Sequence, residues 1–146
     1  MRQIFLVDNS VLQRLHRSDE VASAMTELLS IGELGGCLPQ LLEEGYSARS
    51  APEHRAIRSA NARAKIFLPP DAEVAALALE LQSRLFAAGM GRAVGVSDLQ
   101  IVATAIRHTT DVQRVTVVHY DTDFERVARV APEFRHRWIV PRGSVA

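Results

Sequence analysis

A chain of 146 residues with 47% hydrophobic and 23% charged side chains holds enough apolar material for one compact core, which sets disorder aside. Its 17 basic and 17 acidic residues cancel, so no overall field points to a nucleic-acid partner, and the one cysteine, Cys37, rules out an internal disulfide or a cysteine-built metal site. No apolar run nears the roughly 20 residues that cross a bilayer, and the start reaches Asp8 too soon for a signal peptide; a cytoplasmic protein with a single domain over residues 1–146 is expected.

Residues 3–7 form a short apolar run with no polar alternate, the pattern of a parallel strand buried on both faces, and it stops at Asp8-Asn9-Ser10. Val21, Ala24, Met25 and Leu28 recur at helical spacing until Gly32, which predicts a helix over residues 19–31. Residues 34–38 read as a weaker second strand. Pro39 suits the first position of a helix that continues through Tyr46 toward Arg49, and Pro52 opens another that runs to about residue 66. Residues 67 and 68 make a very short strand before Pro69-Pro70. From Asp71 a long amphipathic helix carries Val74, Leu77, Ala78, Leu81, Leu85 and Ala88 on one stripe. Leu79 and Phe86 add a second stripe, which predicts deeper burial or, failing that, a partner surface. The glycine-containing loop over residues 89–95 follows a helix, and so reads as a connector rather than a phosphate loop. A helix over 97–108, a strand over 115–118, a helix opened by Asp121-Thr122-Asp123-Phe124 and a last strand over 138–140 complete the chain. This alternation predicts an α/β fold, a three-layer α/β/α sandwich on a mostly parallel, five-stranded sheet.

Between residues 49 and 65 the chain carries Arg49, Arg55, Arg58, Arg63 and Lys65 against the single acid Glu53. By itself such a stretch is a solvated helix face; it gains functional meaning only beside a site that handles phosphate.

The acids fall in a telling order. Asp8 follows the first strand, and Asp121 and Asp123 follow the strand near His119; in open parallel sheets the carboxyl ends of strands share one edge, so these side chains should converge. Ser97 with Gln100 predicts a capping box that sets Asp98 at the first helical position, and Thr122 with Glu125 repeats the signal for Asp123. An acid at a helix start is also a plain response to the helix dipole, worth about 0.3 to 1 kcal/mol. Glu43 is harder to explain that way, because Pro39, Leu42, Glu43 and Tyr46 share a helix face that is expected to point inward, with Glu44 off it. A carboxylate on a packing face needs a cation or donors, and no lysine or arginine shares that stripe. One or two hard divalent cations, Mg²⁺ or Mn²⁺, would satisfy Asp8, Glu43, Asp98 and Asp121 together, and such a site suits phosphodiester hydrolysis.

The spaced pattern Val7-Asp8-Asn9-Ser10, Pro39-Gln40-Leu41-Leu42-Glu43 with Tyr46-Ser47-Ala48-Arg49, Ser97-Asp98 with Ile101-Val102-Ala103-Thr104-Ala105, and Tyr120-Asp121-Thr122-Asp123-Phe124 resembles a PIN domain, and within it the VapC toxins of type II toxin–antitoxin systems. The resemblance spans essentially the whole chain. It implies a metal-dependent endoribonuclease on a five-stranded parallel sheet, a homodimer that cuts structured RNA such as transfer or ribosomal RNA, and a VapB-like antitoxin as partner. By position Asp8, Glu43, Asp98 and Asp121 take the places of the family's acidic quartet, both catalytic and metal-binding, and Asp123 that of a variable fifth ligand. The antitoxin is expected to plug the acidic pocket with an arginine and to lie along the Leu79 and Phe86 stripe. Asn9 stands where threonine is frequent, and His119 where a small hydroxyl residue often precedes the last acids. His119 reads as a structural hydrogen-bonder rather than a proton carrier, and Ser10 as a cap or a support for Asp8.

Two other readings compete. A receiver-like Mg²⁺-binding signalling domain would want an acidic pair after the first strand and a lysine near the site, whereas the single lysine, Lys65, falls in the basic helix. A PIN-like module that grips RNA or protein without cutting is set lower by the presence of every expected acid.

Overall fold

The computed structural model describes residues 1–146. Five strands, β1 (Arg2–Val7), β2 (Glu33–Cys37), β3 (Ile66–Leu68), β4 (Gln113–His119) and β5 (His136–Trp138), form one sheet in the order β3-β2-β1-β4-β5. Every pairing is parallel, so each connection must cross over, and helices supply the crossings. They are α1 (Asn9–Leu12), α2 (Asp19–Ile31), α3 (Leu38–Tyr46), α4 (Ala51–Ala64), α5 (Ala72–Ala87), α6 (Val96–His108) and α7 (Thr122–Val130).

The unbroken apolar run of β1 is explained by the two faces of the sheet. Ile4 and Leu6 point into one core with Val115 and Val117 of β4, where they meet Leu81 and Leu85 of α5, Leu99 and Val102 of α6, and Phe124 and Val127 of α7. Phe5 and Val7 point into the other with Val118, against Val11 of α1 and Val21, Met25 and Leu28 of α2. Strand period 2 thus feeds two cores at once.

Helix starts follow familiar chemistry. Ser18, Ser50 and Asp71 cap α2, α4 and α5 by accepting the main-chain N–H of the residue three positions on. Asp71 also pairs with Arg107 at 3.0 Å, which ties the start of α5 to the end of α6.

Several expectations from sequence are corrected. The capping box at Ser97 is absent: Gly95 is the N-cap of α6, without a side-chain bond, so Asp98 is the third helical residue rather than the first. In α7 the cap is Asp121 itself, not Thr122. The short α1 is an addition to the expected elements, because four residues carry no legible period. The last strand lies at His136–Trp138, two residues earlier than expected, since the main chain at Arg135 already pairs with Val117. Leu79 and Phe86 are 68% and 59% exposed, which overturns deeper burial for the second stripe of α5. Lys65 is the C-cap of α4 and pairs with Glu44 at 2.6 Å. The rest of α4 has no buried residue and rests mainly on α3, as the solvated-face reading of the basic stretch expects.

Candidate active site

The carboxyl ends of β1 and β4 are laced together. Asp8 N–H donates to the Val118 carbonyl at 2.8 Å, and Tyr120 N–H donates to Ser10 Oγ at 2.9 Å. Asp8, 6% exposed, caps α1 and accepts Ser10 N–H through Oδ2 at 3.1 Å. Ser10 therefore ties together the two strand ends beside Asp8.

At the end of the adjacent strand β4, Asp121 has the equivalent role. It caps α7, with Oδ1 accepting Asp123 N–H at 2.9 Å, while its own N–H donates to His119 Nδ1 at 3.2 Å. Asp123, on the first turn of α7, pairs with Arg126. Asp98 enters from α6, and one carboxylate oxygen from each of Asp98, Asp121 and Asp123 lies within 4.8 Å of the others. Oxygens around an octahedral Mg²⁺ are at most roughly 4.2 Å apart, so a small side-chain rotation closes the set on an ion.

The electrostatics point the same way. Burial, then the charges of Asp8, Asp121, Asp123 and Glu43, push the Asp98 carboxyl up to about 7. Burial and Asp121 also raise Asp123, with Arg126 acting against them. Apart from Arg126 no basic side chain pairs with the cluster, and an all-oxygen, excess-negative set fits a hard divalent cation.

Of the five acids singled out from sequence, three converge on one point and Asp8 flanks them. Glu43 acts on Asp98 electrostatically but is exposed, in a cleft of about 620 Å³ that it shares with Asn9, Ser47, Ser97 and Gln100. The helix face expected to point inward does so only at Pro39. Past Pro39, which is buried, Leu42 and Tyr46 are 63% and 92% exposed, and the other residue that α3 buries is Gln40, off that face. Gln40 decides this phase: its amide Nε2 donates to the Val7 carbonyl at 2.9 Å and its Oε1 accepts from the Cys37 thiol. This buried polar tether sets α3 against the end of β1, next to Asp8, and it escapes a sequence reading because a glutamine carries no signal for burial. Cys37 is a small buried core residue, its thiol pushed up to about 12 by burial. Glu44, not Glu43, turns inward, where Lys65 and Asn61 satisfy it.

His119 is fully buried and is held neutral, its pKa lowered to about 3 by burial and then by His136, so it carries no charge at ordinary pH.

Comparison with known proteins adds an independent line. The family model "PIN domain" matches residues 5–130. The chain is 33% identical over 140 residues to ribonuclease VapC21 of Mycobacterium tuberculosis, covering 96% of each chain. It is 34% identical over 145 residues to ribonuclease VapC18 of the same organism, covering 97% of this chain and 99% of that one. Among solved structures, VapBC2 from Rickettsia felis bound to a promoter DNA fragment superposes with a TM-score of 0.70 at 16% identity, covering 92% of this chain and 98% of that one. DNA-bound VapBC from Salmonella typhimurium gives 0.69 at 16% identity, covering 96% and 100%. At such identities these two establish the fold.

The raised Asp98 carboxyl makes a signed prediction. Between about pH 4 and 7 it is neutral in the folded protein and ionised in the unfolded chain, so metal-free stability that is complete below pH 4 is lost as pH rises to 7. Asp98→Asn never ionises. In EDTA at pH 8 it should melt a few degrees above the parent, less the roughly 0.3 to 1 kcal/mol of helix-dipole interaction that it gives up, and the gain should vanish near pH 4. In millimolar Mg²⁺ at pH 8 the order should reverse, because only the parent keeps its full ligand set. A variant less stable in EDTA at pH 8 would make Asp98 a helix-start residue and nothing more.

Proposed function

Because the chain belongs to the PIN-domain family and, along nearly its whole length, to the VapC ribonucleases within it, we propose that it is the endoribonuclease toxin of a VapBC-type pair, acting in the cytoplasm on structured RNA. Asp8, Glu43, Asp98, Asp121 and Asp123 are proposed to hold Mg²⁺ or Mn²⁺, with the first four forming the catalytic set. The observation that carries this reading is the convergence of Asp98, Asp121 and Asp123 at the strand ends, with only Arg126 to offset them. A receiver-like site finds no support, since Lys65 is taken by Glu44 rather than by the cluster.

A bound divalent ion supplies an activated water and stabilises charge on the phosphate and the leaving oxygen. The chain's own contribution is placement. Asp8, held by Ser10, and Asp121, held as the cap of α7, fix two oxygens on main-chain supports, and Asp98 adds a third from a rigid helix. Asp123 is shared with Arg126, which makes it the weakest contributor. Purified protein should cut RNA in Mg²⁺ or Mn²⁺ and stop in EDTA, with Asp121→Asn slowing cleavage by about 100-fold or more. Full cleavage in chelator would end the metal mechanism, and binding without any cleavage would favour a non-catalytic module.

A groove beside the acids supports another antitoxin path than the Leu79 and Phe86 stripe. A groove of about 590 Å³ between α3 and α4, with Leu41, Ile57 and Phe67 in its lining, shares Leu38, Leu42 and Tyr46 with the cleft that holds Glu43. An amphipathic segment of a VapB-like partner can lie in this groove and send an arginine toward the acids. Replacing that arginine of the partner by alanine should relieve inhibition while leaving a complex on gel filtration; full inhibition by the alanine variant would refute the plug.

The exposed Leu79 and Phe86 on α5 are then free for the homodimer. Leu79→Glu with Phe86→Glu should give monomers by light scattering, and a dimer that persists would place the subunit contact elsewhere.

A further inference from the structure

His119 lies at the end of β4 and has no exposed surface. Both ring nitrogens face partners: Nδ1 is 3.2 Å from the main-chain nitrogen of Asp121, and Nε2 is 2.8 Å from Nδ1 of His136. A main-chain N–H can only donate, so Nδ1 of His119 carries the lone pair. The neutral ring then bears its proton on Nε2 and donates it to His136, whose own proton sits on Nε2. One direction of donation runs from the Asp121 N–H through both rings. Their orientation is fixed by packing: His119 lies against Phe124 at 4.9 Å and Trp138 at 5.0 Å and stacks on His136 at 5.1 Å, which stacks in turn on Phe134 at 5.3 Å.

A side-chain acceptor on residue i that takes the N–H of residue i+2 makes the bond of an Asx or ST turn, ordinarily the work of a short polar side chain. Here an imidazole makes it, and the ring is anchored in the core instead of in the loop. The residue so held is Asp121, whose carboxylate in turn receives the N–H of Asp123. One bond therefore sets the turn from which two of the three converging carboxylates project.

We propose that His119, with its tautomer set by His136, is a positioning residue that locks the β4–α7 turn so that Asp121 and Asp123 present their oxygens to a divalent cation. This rests on the metal-binding reading of the cluster. Outer partners that orient metal ligands typically change affinity by about 10- to 100-fold when removed, which gives the size of the effect.

The test compares Mn²⁺ affinity, read by electron paramagnetic resonance of free Mn²⁺, in the parent, His119→Asn, His119→Leu and His136→Phe, alongside melts of each in EDTA. Asparagine keeps an acceptor for the i+2 N–H but buries an amide in apolar surroundings; leucine keeps apolar bulk and removes the acceptor. A packing role alone makes His119→Asn the poorer protein on both scales. Positioning makes it the less stable variant yet the better ion binder, within about threefold of the parent, while His119→Leu binds about tenfold more weakly or worse. His136→Phe keeps the ring stack but frees the His119 tautomer, and should weaken Mn²⁺ binding as well. Nitrogen-15 shifts of the parent should show His119 protonated at Nε2 alone.

Parent-like affinity in His119→Leu, or a His119 ring protonated at Nδ1 in the parent, overturns the proposal. If His119→Leu does not fold, His136→Phe decides, and unchanged affinity there overturns it equally. A parent that binds no Mn²⁺ removes the metal reading itself, a result distinct from all of these.

Discussion

The alignment of β1 with β4 is the constraint on which the rest depends. Six consecutive pairs, from Arg2 opposite Gln113 to Val7 opposite Val118, bring both strands to the same edge in step. The residues that follow, Asp8 on one strand and His119 to Asp121 on the other, are then neighbours without any further device. A slip of one residue would send either Ile4 and Leu6 or Val115 and Val117 to the wrong core, so burial on both faces guards the register of the site. The hydrophobic core thereby fixes where the charges stand.

Bringing those charges together works against folding. Asp98 shows the conflict most clearly, because burial and four neighbouring acids all favour its neutral form. The fold contains the conflict through main-chain donors instead of basic side chains: Ser10 N–H serves Asp8 and Asp123 N–H serves Asp121. Such donors orient a carboxylate without cancelling its charge, and the charge stays available to a cation. Arg126 is the exception, and it falls on Asp123.

Much of this is legible in the sequence, for reasons that can be named. Apolar runs bounded by turn residues mark the buried strands, and acids just past β1 and β4 foretell that Asp8 and Asp121 share one sheet edge. Failures come where a single side chain overrides the pattern. Leu42 and Tyr46 suggest one phase for α3, but Gln40 sets another by reaching the Val7 carbonyl, and the inward acid becomes Glu44. Ser97 suggests the start of α6, but the backbone turns at Gly95. The pairing of His119 with His136 spans 17 residues and joins two strands. No local period encodes it, and it emerges only when the sheet order is known.

α4 separates two properties that most helices bind together. Of its fourteen residues none is buried, and only Ile57 and Asn61 are even half covered. Most substitutions on a helix so placed shift stability by no more than about 0.5 kcal/mol. This surface, and with it one wall of the groove beside the acids, can therefore be rewritten at little cost to the fold. Divergence in whatever the groove accepts need not wait for compensating change in the fold.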